Sequence, residues 1–164
     1  LDRKNGAILL IGALIARPDG CIFTQRRART RRAYPGVWDN IGGHIEGNET
    51  LEQALAREMK EETGWSLKAF LGCFGRRTWR APESPALHVE YLMLCEARGD
   101  LDHPVLETEK IDRSEWISEK DIDMILENRT GPDREHQRAI YTCAFRMSRE
   151  ASNGPRPDRA PSTE

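Results

Sequence analysis

Glu58, Glu61 and Glu62 stand near the end of a stretch, residues 43–65, whose apolar residues are spaced for a helix. A helix turns about 100° per residue, so side chains three and four apart share a face. The three carboxylates therefore fall within one third of the helix circumference. With Leu51 at zero on the wheel, Leu55 lies about 40° away, Glu58 about −20° and Glu62 about 20°. Glu58 and Glu62 thus share the stripe of the leucines, the stripe that faces the protein body. Clustered glutamates are usually a solvated face, because Glu is so rarely buried. Here three like charges point inward, close to a helix C-terminus whose dipole also disfavours anions. A hard divalent cation with oxygen ligands is their natural partner.

Thr50 and Gln53 form a capping box at the start of this helix, and Gly64 is its stop signal. The whole chain has 164 residues, enough for one domain with a real core. Its formal net charge of −2 gives no general pull towards nucleic acid or anionic membranes. Cys21, Cys73, Cys95 and Cys143 are far apart and show no CxxC spacing. They read as reduced, mostly buried thiols of a cytoplasmic protein.

Lys4 ahead of an apolar run, residues 7–16, has the faint outline of a signal peptide. The run is too short to span a bilayer. The turn Arg17-Pro18-Asp19-Gly20 and the strand-like residues 21–25 after it favour a buried strand. Gly12 inside the run marks either a bulge or a close backbone approach. Five arginines follow within residues 26–32, then a break at Tyr34-Pro35-Gly36 and a short extended piece, residues 37–41. Beyond the helix, residues 65–74 and 87–97 read as strands, with a Pro-containing loop over residues 75–86. Residues 99–113 read as irregular, residues 115–117 as a short strand and residues 118–127 as a helix capped by Ser118. A last helix is expected from Pro132 to about Ser148. Residues 1–149 are taken as the domain and residues 150–164, rich in Pro, Ser and Arg, as a disordered tail.

The stretch Gly43, Glu49, Arg57, Glu58, Met59, Glu61, Glu62, Gly64, Trp65 resembles the signature of the Nudix hydrolases. That signature is Gly, five residues, Glu, seven residues, Arg-Glu, an aliphatic, any residue, Glu-Glu, any residue, Gly, an aliphatic. Trp65 departs from the usual aliphatic but is still large and apolar, so its core contact is expected to survive. Ile41, before Gly42, stands where the family often has proline. The resemblance implies an α/β (α+β) fold, an αβα sandwich with a mixed β-sheet, the box loop-helix and C-terminal helices. It implies hydrolysis of a nucleoside diphosphate linked to another moiety, with Mg²⁺ or Mn²⁺ as cofactor. By the resemblance, Glu58, Glu61 and Glu62 are catalytic metal ligands and the Gly42 carbonyl adds another. Glu49 and Arg57 would hold the loop against the helix, with Gly43 and Gly64 as its structural glycines.

The general base is open between Glu58 and a distal loop acid, Glu109. Arg26, at the end of a strand, and His44, beside Gly43, are the candidate substrate contacts. The remaining arginines read as a solvated loop, since no aromatic residues interleave with them as a nucleic-acid surface would need. Trp79 reads either as a base-stacking group or as a half-buried anchor. The oligomeric state stays open, with a homodimer as one candidate because dimers are common in the family. Residues 34–40 followed by His44 also look like the isopentenyl-diphosphate isomerase branch of the superfamily, but the cysteine that branch needs beside Gly42 and Gly43 is missing. A non-catalytic nucleotide-binding module is the third reading; such domains usually lose box glutamates, and this chain keeps them all.

Overall fold

The computed structural model describes residues 6–80 and 85–153. Among the described residues seven strands form two sheets. They are β1 (Ile8–Ile15), β2 (Ile22–Arg27), β3 (Trp38–Asp39), β4 (Ile41–His44), β5 (Ser66–Arg80), β6 (Leu87–Arg98) and β7 (Ile111–Ile117). One sheet has the order β4-β1-β6-β5 and the other β3-β2-β7. The first is mixed: β1 runs antiparallel to β4 and parallel to β6. Helix α1 (Leu51–Thr63) leads into β5, and the short α2 (Ile122–Ile125) precedes the long α3 (Gly131–Asn153).

Alternation along β1 explains why helices lie on both faces. Ile11, Ala13 and Ile15 join Ala54, Leu55 and Met59 of α1 in one apolar cluster. Leu14 and Ala16, from the other face, join Ile140, Tyr141, Ala144 and Phe145 of α3 in a second. The result is an αβα sandwich with a mixed sheet, as expected. Gly12 lies in regular register between Gly42 and Leu92. A Cβ there would stand 2.8 Å from both Asn40 Nδ2 and Glu90 Oε1. Gly12 therefore serves a close approach and not a bulge.

Trp65 is 2% exposed. Its ring meets Phe23 edge-on at 4.8 Å and stacks on Trp116 at 5.7 Å. Its Nε1–H donates to the Asp100 carbonyl at 2.8 Å. The expected core contact thus survives and gains a hydrogen bond no aliphatic side chain makes.

Four boundaries differ from the sequence reading. The loop expected over residues 75–86 is strand as far as Arg80, where half-buried Gly75, Arg77 and Trp79 alternate with exposed Arg76, Thr78 and Arg80. Pro82 and Pro85 lie beyond the strand's end and do not interrupt that period-two pattern, and residues 81–84 lie outside the described residues. Strand β7 begins at Ile111, because its polar residues Arg113 and Ser114 pair with Arg26 and Gln25 of β2. The helix expected over residues 118–127 is a 3₁₀ turn, Glu119–Asp121, followed by α2. Asp121 accepts from Ser118 N–H at 2.9 Å and Oγ–H at 2.6 Å, which closes a tight first turn. Helix α3 continues to Asn153, so the first four residues of the expected tail are helical. Residues 154–164 lie outside the described residues.

Candidate active site

The site is built where α1 meets β4. Thr50 Oγ1 accepts from Gln53 N–H at 3.2 Å and Gln53 Oε1 accepts from Thr50 N–H at 2.8 Å, closing the predicted capping box. Gly64 ends α1 with φ +74°, and its N–H donates to the Lys60 carbonyl. These two caps fix the rotation of α1, and Ala54, Leu55 and Met59 bury its apolar stripe. Glu58 is carried inward on that stripe to 8% exposure. Glu62 is half-buried, but Glu61, expected to point inward with the other two, is exposed because it lies about 80° round the helix from Leu51, at the edge of the apolar stripe.

The glycines of β4 make room for the carboxylates. A Cβ on Gly43 would lie 2.3 Å from Glu58 Oε1. A Cβ on Gly42, whose φ is +152°, would lie 2.1 Å from the Ile11 carbonyl oxygen. Neither position tolerates a side chain without movement. Glu62 Oε2 accepts the Gly42 N–H at 3.1 Å and Gln25 Nε2–H at 2.8 Å. Glu58 and Glu62 therefore rest on the same two-residue backbone segment.

Arg57 organises the other side. Its Nε donates to Glu49 Oε1 at 2.8 Å, and its Nη2 donates to Glu49 Oε2 at 3.1 Å and to the His44 carbonyl at 2.7 Å. Its Nη1 donates to Glu58 Oε1 at 2.8 Å and Glu61 Oε2 at 3.3 Å. These bonds stabilise the guanidinium and push its pKa further up. The loop of Glu49 is thereby tied to the helix and to β4.

Burial raises the pKa of Glu58 despite the Arg57 bonds. Burial is also the main cause for Glu62, pushed up to about 7, with Glu58 and Asp39 adding repulsion. Both shifts say that the protein alone does not fully compensate these anions. Among the described residues no three His, Cys, Asp or Glu side chains converge as a ready-made ligand set. Arg57 and Gln25 engage the same oxygens that a cation would. The residues nevertheless fit a hard divalent ion: the donors are carboxylate oxygens, their charge is under-compensated, and the glycine segment leaves the space open.

The other candidates are more scattered. Gln25 faces Glu62, so strand alternation turns Arg26 away from the box. Arg26 pairs instead with Asp112 at 2.7 Å and lies 5.7 Å from the centre of the Trp38 ring. His44 is exposed and contributes its carbonyl to Arg57. Glu109 is exposed, in the turn before β7. Among the described residues no hydrogen bond or ion pair joins it to the box glutamates. Trp79 stacks on His88 at 5.2 Å as a half-buried anchor on β5.

Sequence reasoning passed over Gln25, Asp39, Glu90 and Arg129. Gln25 and Asp39 are register partners on β2 and β3. Arg129, 7% exposed, donates from Nη2 to the Trp38 carbonyl at 2.6 Å and lies 3.5 Å from Asp39. The one available signal was a charged or amide residue inside each short apolar segment: Gln25 after Ile22-Phe23-Thr24, Asp39 after Val37-Trp38, and Glu90 in β6.

The NUDIX domain model matches residues 9–140. An isopentenyl-diphosphate Delta-isomerase of Kocuria rhizophila is 28% identical over 116 residues, 70% of this chain and 64% of that protein. An NAD-capped RNA hydrolase, NudC, of Pseudomonas aeruginosa is 33% identical over 107 residues, 64% of this chain and 34% of that protein. The chain thus spans about two thirds of the first relative and about one third of the second. Among solved structures, a MutT NUDIX hydrolase from Burkholderia pseudomallei superposes with a TM-score of 0.62 at 22% identity, over 87% of this chain and 98% of that one. A NUDIX hydrolase from Nitrosomonas europaea gives 0.64 at 21% identity, over 85% and 90%. These structural likenesses carry the fold. Since the family model spans most of the chain, from β1 into α3, the chain belongs to the NUDIX domain family.

Proposed function

We propose that this domain hydrolyses the diphosphate linkage of a nucleoside diphosphate joined to a further group, with Mg²⁺ or Mn²⁺ bound at the box. The observation that carries it is the seating of Glu58 and Glu62 on the Gly42–Gly43 backbone, one helical turn apart, with Glu61 beside them. Glu58, Glu61, Glu62 and the Gly42 carbonyl are the proposed ligands. A divalent ion bound there neutralises phosphate charge and lowers the pKa of a coordinated water. The chain's own part is to keep the carboxylates ionised and aimed, through Arg57 and the Gly42 N–H. Gln25 holds Glu62 against β4. Glu58, already inside the box, is the better-placed general base, and Glu109 is the alternative. Loss of turnover in Glu109→Gln, without loss of metal binding, would reverse that order.

His44 is kept as a substrate contact in this proposal; Arg26, on the face of β2 away from the box and paired with Asp112, is kept only as a contact to a part of the substrate beyond the diphosphate. A cytoplasmic setting is proposed on the four free cysteines, of which only Cys95 is buried, against the expectation that most would be; among the described residues no helix is long and apolar enough to cross a membrane. A homodimer is proposed on the outer edge of β5, which carries the half-exposed Phe70. Sedimentation velocity tests it.

The deciding experiment is a screen of nucleoside triphosphates, dinucleoside polyphosphates, nucleotide sugars and ADP-ribose with Mg²⁺ and Mn²⁺, reading phosphate and pyrophosphate release. Release that Glu61→Gln and Glu62→Gln abolish is expected, and full activity in those variants would sink the proposal. The isomerase relative motivates one further arm. Conversion of isopentenyl diphosphate to dimethylallyl diphosphate would support that reading, against the absence of cysteine over residues 41–44.

A further inference from the structure

The arginine run between β2 and β3 forms a surface of its own. Arg27 N–H donates to the Val37 carbonyl at 2.9 Å, and Gly36 N–H to the Arg27 carbonyl at 3.0 Å. These bonds close residues 28–35 into a loop. Ala28 N–H ties the loop to the Lys110 carbonyl at 2.7 Å, in the turn before β7. Arg31 N–H donates to the Ala28 carbonyl at 3.0 Å and Arg27 Nε–H to the Ala33 carbonyl at 3.1 Å. Asn128 Nδ2–H reaches the Gly36 carbonyl at 3.2 Å. A connection anchored this often presents its side chains in fixed places.

What it presents is positive and unpaired. Residues 26–37 hold five arginines and no acid. Arg26 is spent on Asp112, and Arg27 Nε on the loop itself. Arg29, Arg31 and Arg32 are exposed, and among the described residues their side chains have no hydrogen bond or ion pair. Exposed arginines elsewhere find an acid, as Arg113 does in Glu115, Arg138 in Asp123 and Arg149 in Glu119. Lys110, paired with Glu107, stands in the field of Arg31 as well as that of Glu62. The patch therefore borders the box.

Tyr34 gives the patch its second property. It lies just beyond the arginines in sequence, and the fold leaves it 64% exposed on the same loop. Its φ is +51°, a left-handed conformation unfavourable for a residue with a side chain. The proline after it ordinarily favours extended backbone instead. Glycine would suit this position better, so the ring is held out against the preference of its own backbone. A flat ring among unpaired cations matches an anion that also carries flat groups. A single-stranded nucleic acid brings one charge and one open base face per nucleotide. An acidic peptide brings only the charge, and a duplex hides its base faces. We infer that Arg29, Arg31, Arg32 and Tyr34 form a binding surface for single-stranded nucleic acid running past the mouth of the box. The net charge of −2 does not oppose this, because a bound strand feels charges within about 8–10 Å and little beyond.

The test measures binding in chelator, with a strand that has no diphosphate, so its outcome is independent of the hydrolase proposal. The full chain is titrated by fluorescence anisotropy with a labelled 5′-hydroxyl RNA of about 12 nucleotides, the scale of one single-strand site. Each phosphate contact on a single strand adds about 0.7 to the slope of log affinity against log salt. The triple variant Arg29→Gln, Arg31→Gln, Arg32→Gln should therefore lower that slope by about 2 and weaken binding at low salt at least about tenfold. Tyr34→Gly removes the ring and suits the left-handed backbone. Its melting temperature should hold while affinity falls about fivefold or more, and Tyr34→Phe should bind like the parent. No binding by the parent, an unchanged slope in the triple variant, or parent-like affinity in Tyr34→Gly overturns the inference. Equal binding of the matching duplex overturns it too. So does displacement by polyglutamate as complete as by unlabelled RNA, which would assign the loop to an acidic protein.

Discussion

Glu62 accepts the backbone N–H of Gly42 at 3.1 Å, across the junction of α1 and β4. The bond aims a half-buried carboxylate whose pKa burial has pushed up to about 7. Glu62→Gln keeps the shape and one acceptor but removes the charge. Metal-dependent turnover should fall about 100-fold or more, since several kcal/mol of charge stabilisation go with a lost ligand. Metal-free stability at pH 8 should stay level or rise, because an under-compensated anion disappears. Calorimetric melts in chelator check the second half; a clear drop in melting temperature would mean that the carboxylate is structural.

Gly43→Ala tests the seat of Glu58. The added Cβ would stand 2.3 Å from Glu58 Oε1, so the glutamate or the strand must move. Overpacking of this kind costs about 1–3 kcal/mol, measurable by urea unfolding in chelator. Mn²⁺ affinity should weaken with it by about tenfold or more. Parent-like affinity would show that Glu58 in its observed rotamer is not the ligand geometry.

Arg57 joins Glu49, Glu58, Glu61 and the His44 carbonyl through one guanidinium. Lysine keeps the charge and loses the fork. Arg57→Lys should destabilise the fold by about 1–3 kcal/mol, less than for a fully buried pair because the side chain retains some solvent. Glu49→Gln, which keeps one acceptor, should cost less. Chemical denaturation of both variants against the parent checks the order, and equal costs would contradict it.

The box was legible because its constraints are local. A capping box, a stop glycine and an apolar stripe specify one helix and its rotation, and Glu58 then points inward without help from the rest of the chain. The buried group around Glu90 was not legible. Asp39, Gln25 and Arg129 come from β3, β2 and the turn before α3, and only tertiary pairing brings them together. Arg26 shows the same limit in reverse: the side of β2 on which it emerges follows from which neighbour faces Glu62, and no spacing within residues 26–32 encodes that. Strand β5 past Phe74 was hidden by prolines beyond its end, although its alternation is plain once the pairing with β6 is known.

The buried carboxyls make a prediction about pH. Glu62 and Glu90 are each pushed up to about 7, and Glu58 is raised by the same burial. An unfolded glutamate titrates near 4.3. An acid raised in the folded state favours folding when protonated; its contribution is complete below the unfolded pKa and is lost as pH rises through the folded one. Metal-free stability should therefore fall between about pH 6 and pH 8, by on the order of 1–3 kcal/mol for the set. His136, held below the ordinary histidine value mainly by burial, acts in the opposite sense below about pH 6.5. The comparison therefore pairs the parent with the Glu62→Gln, Glu90→Gln double variant, whose decline over this window should be shallower. Added Mg²⁺ should reverse the trend, because ligation needs the ionised carboxylate: the melting-temperature gain should grow from pH 6 to pH 8. A gain that shrinks over that range would mean that Glu62 binds no cation.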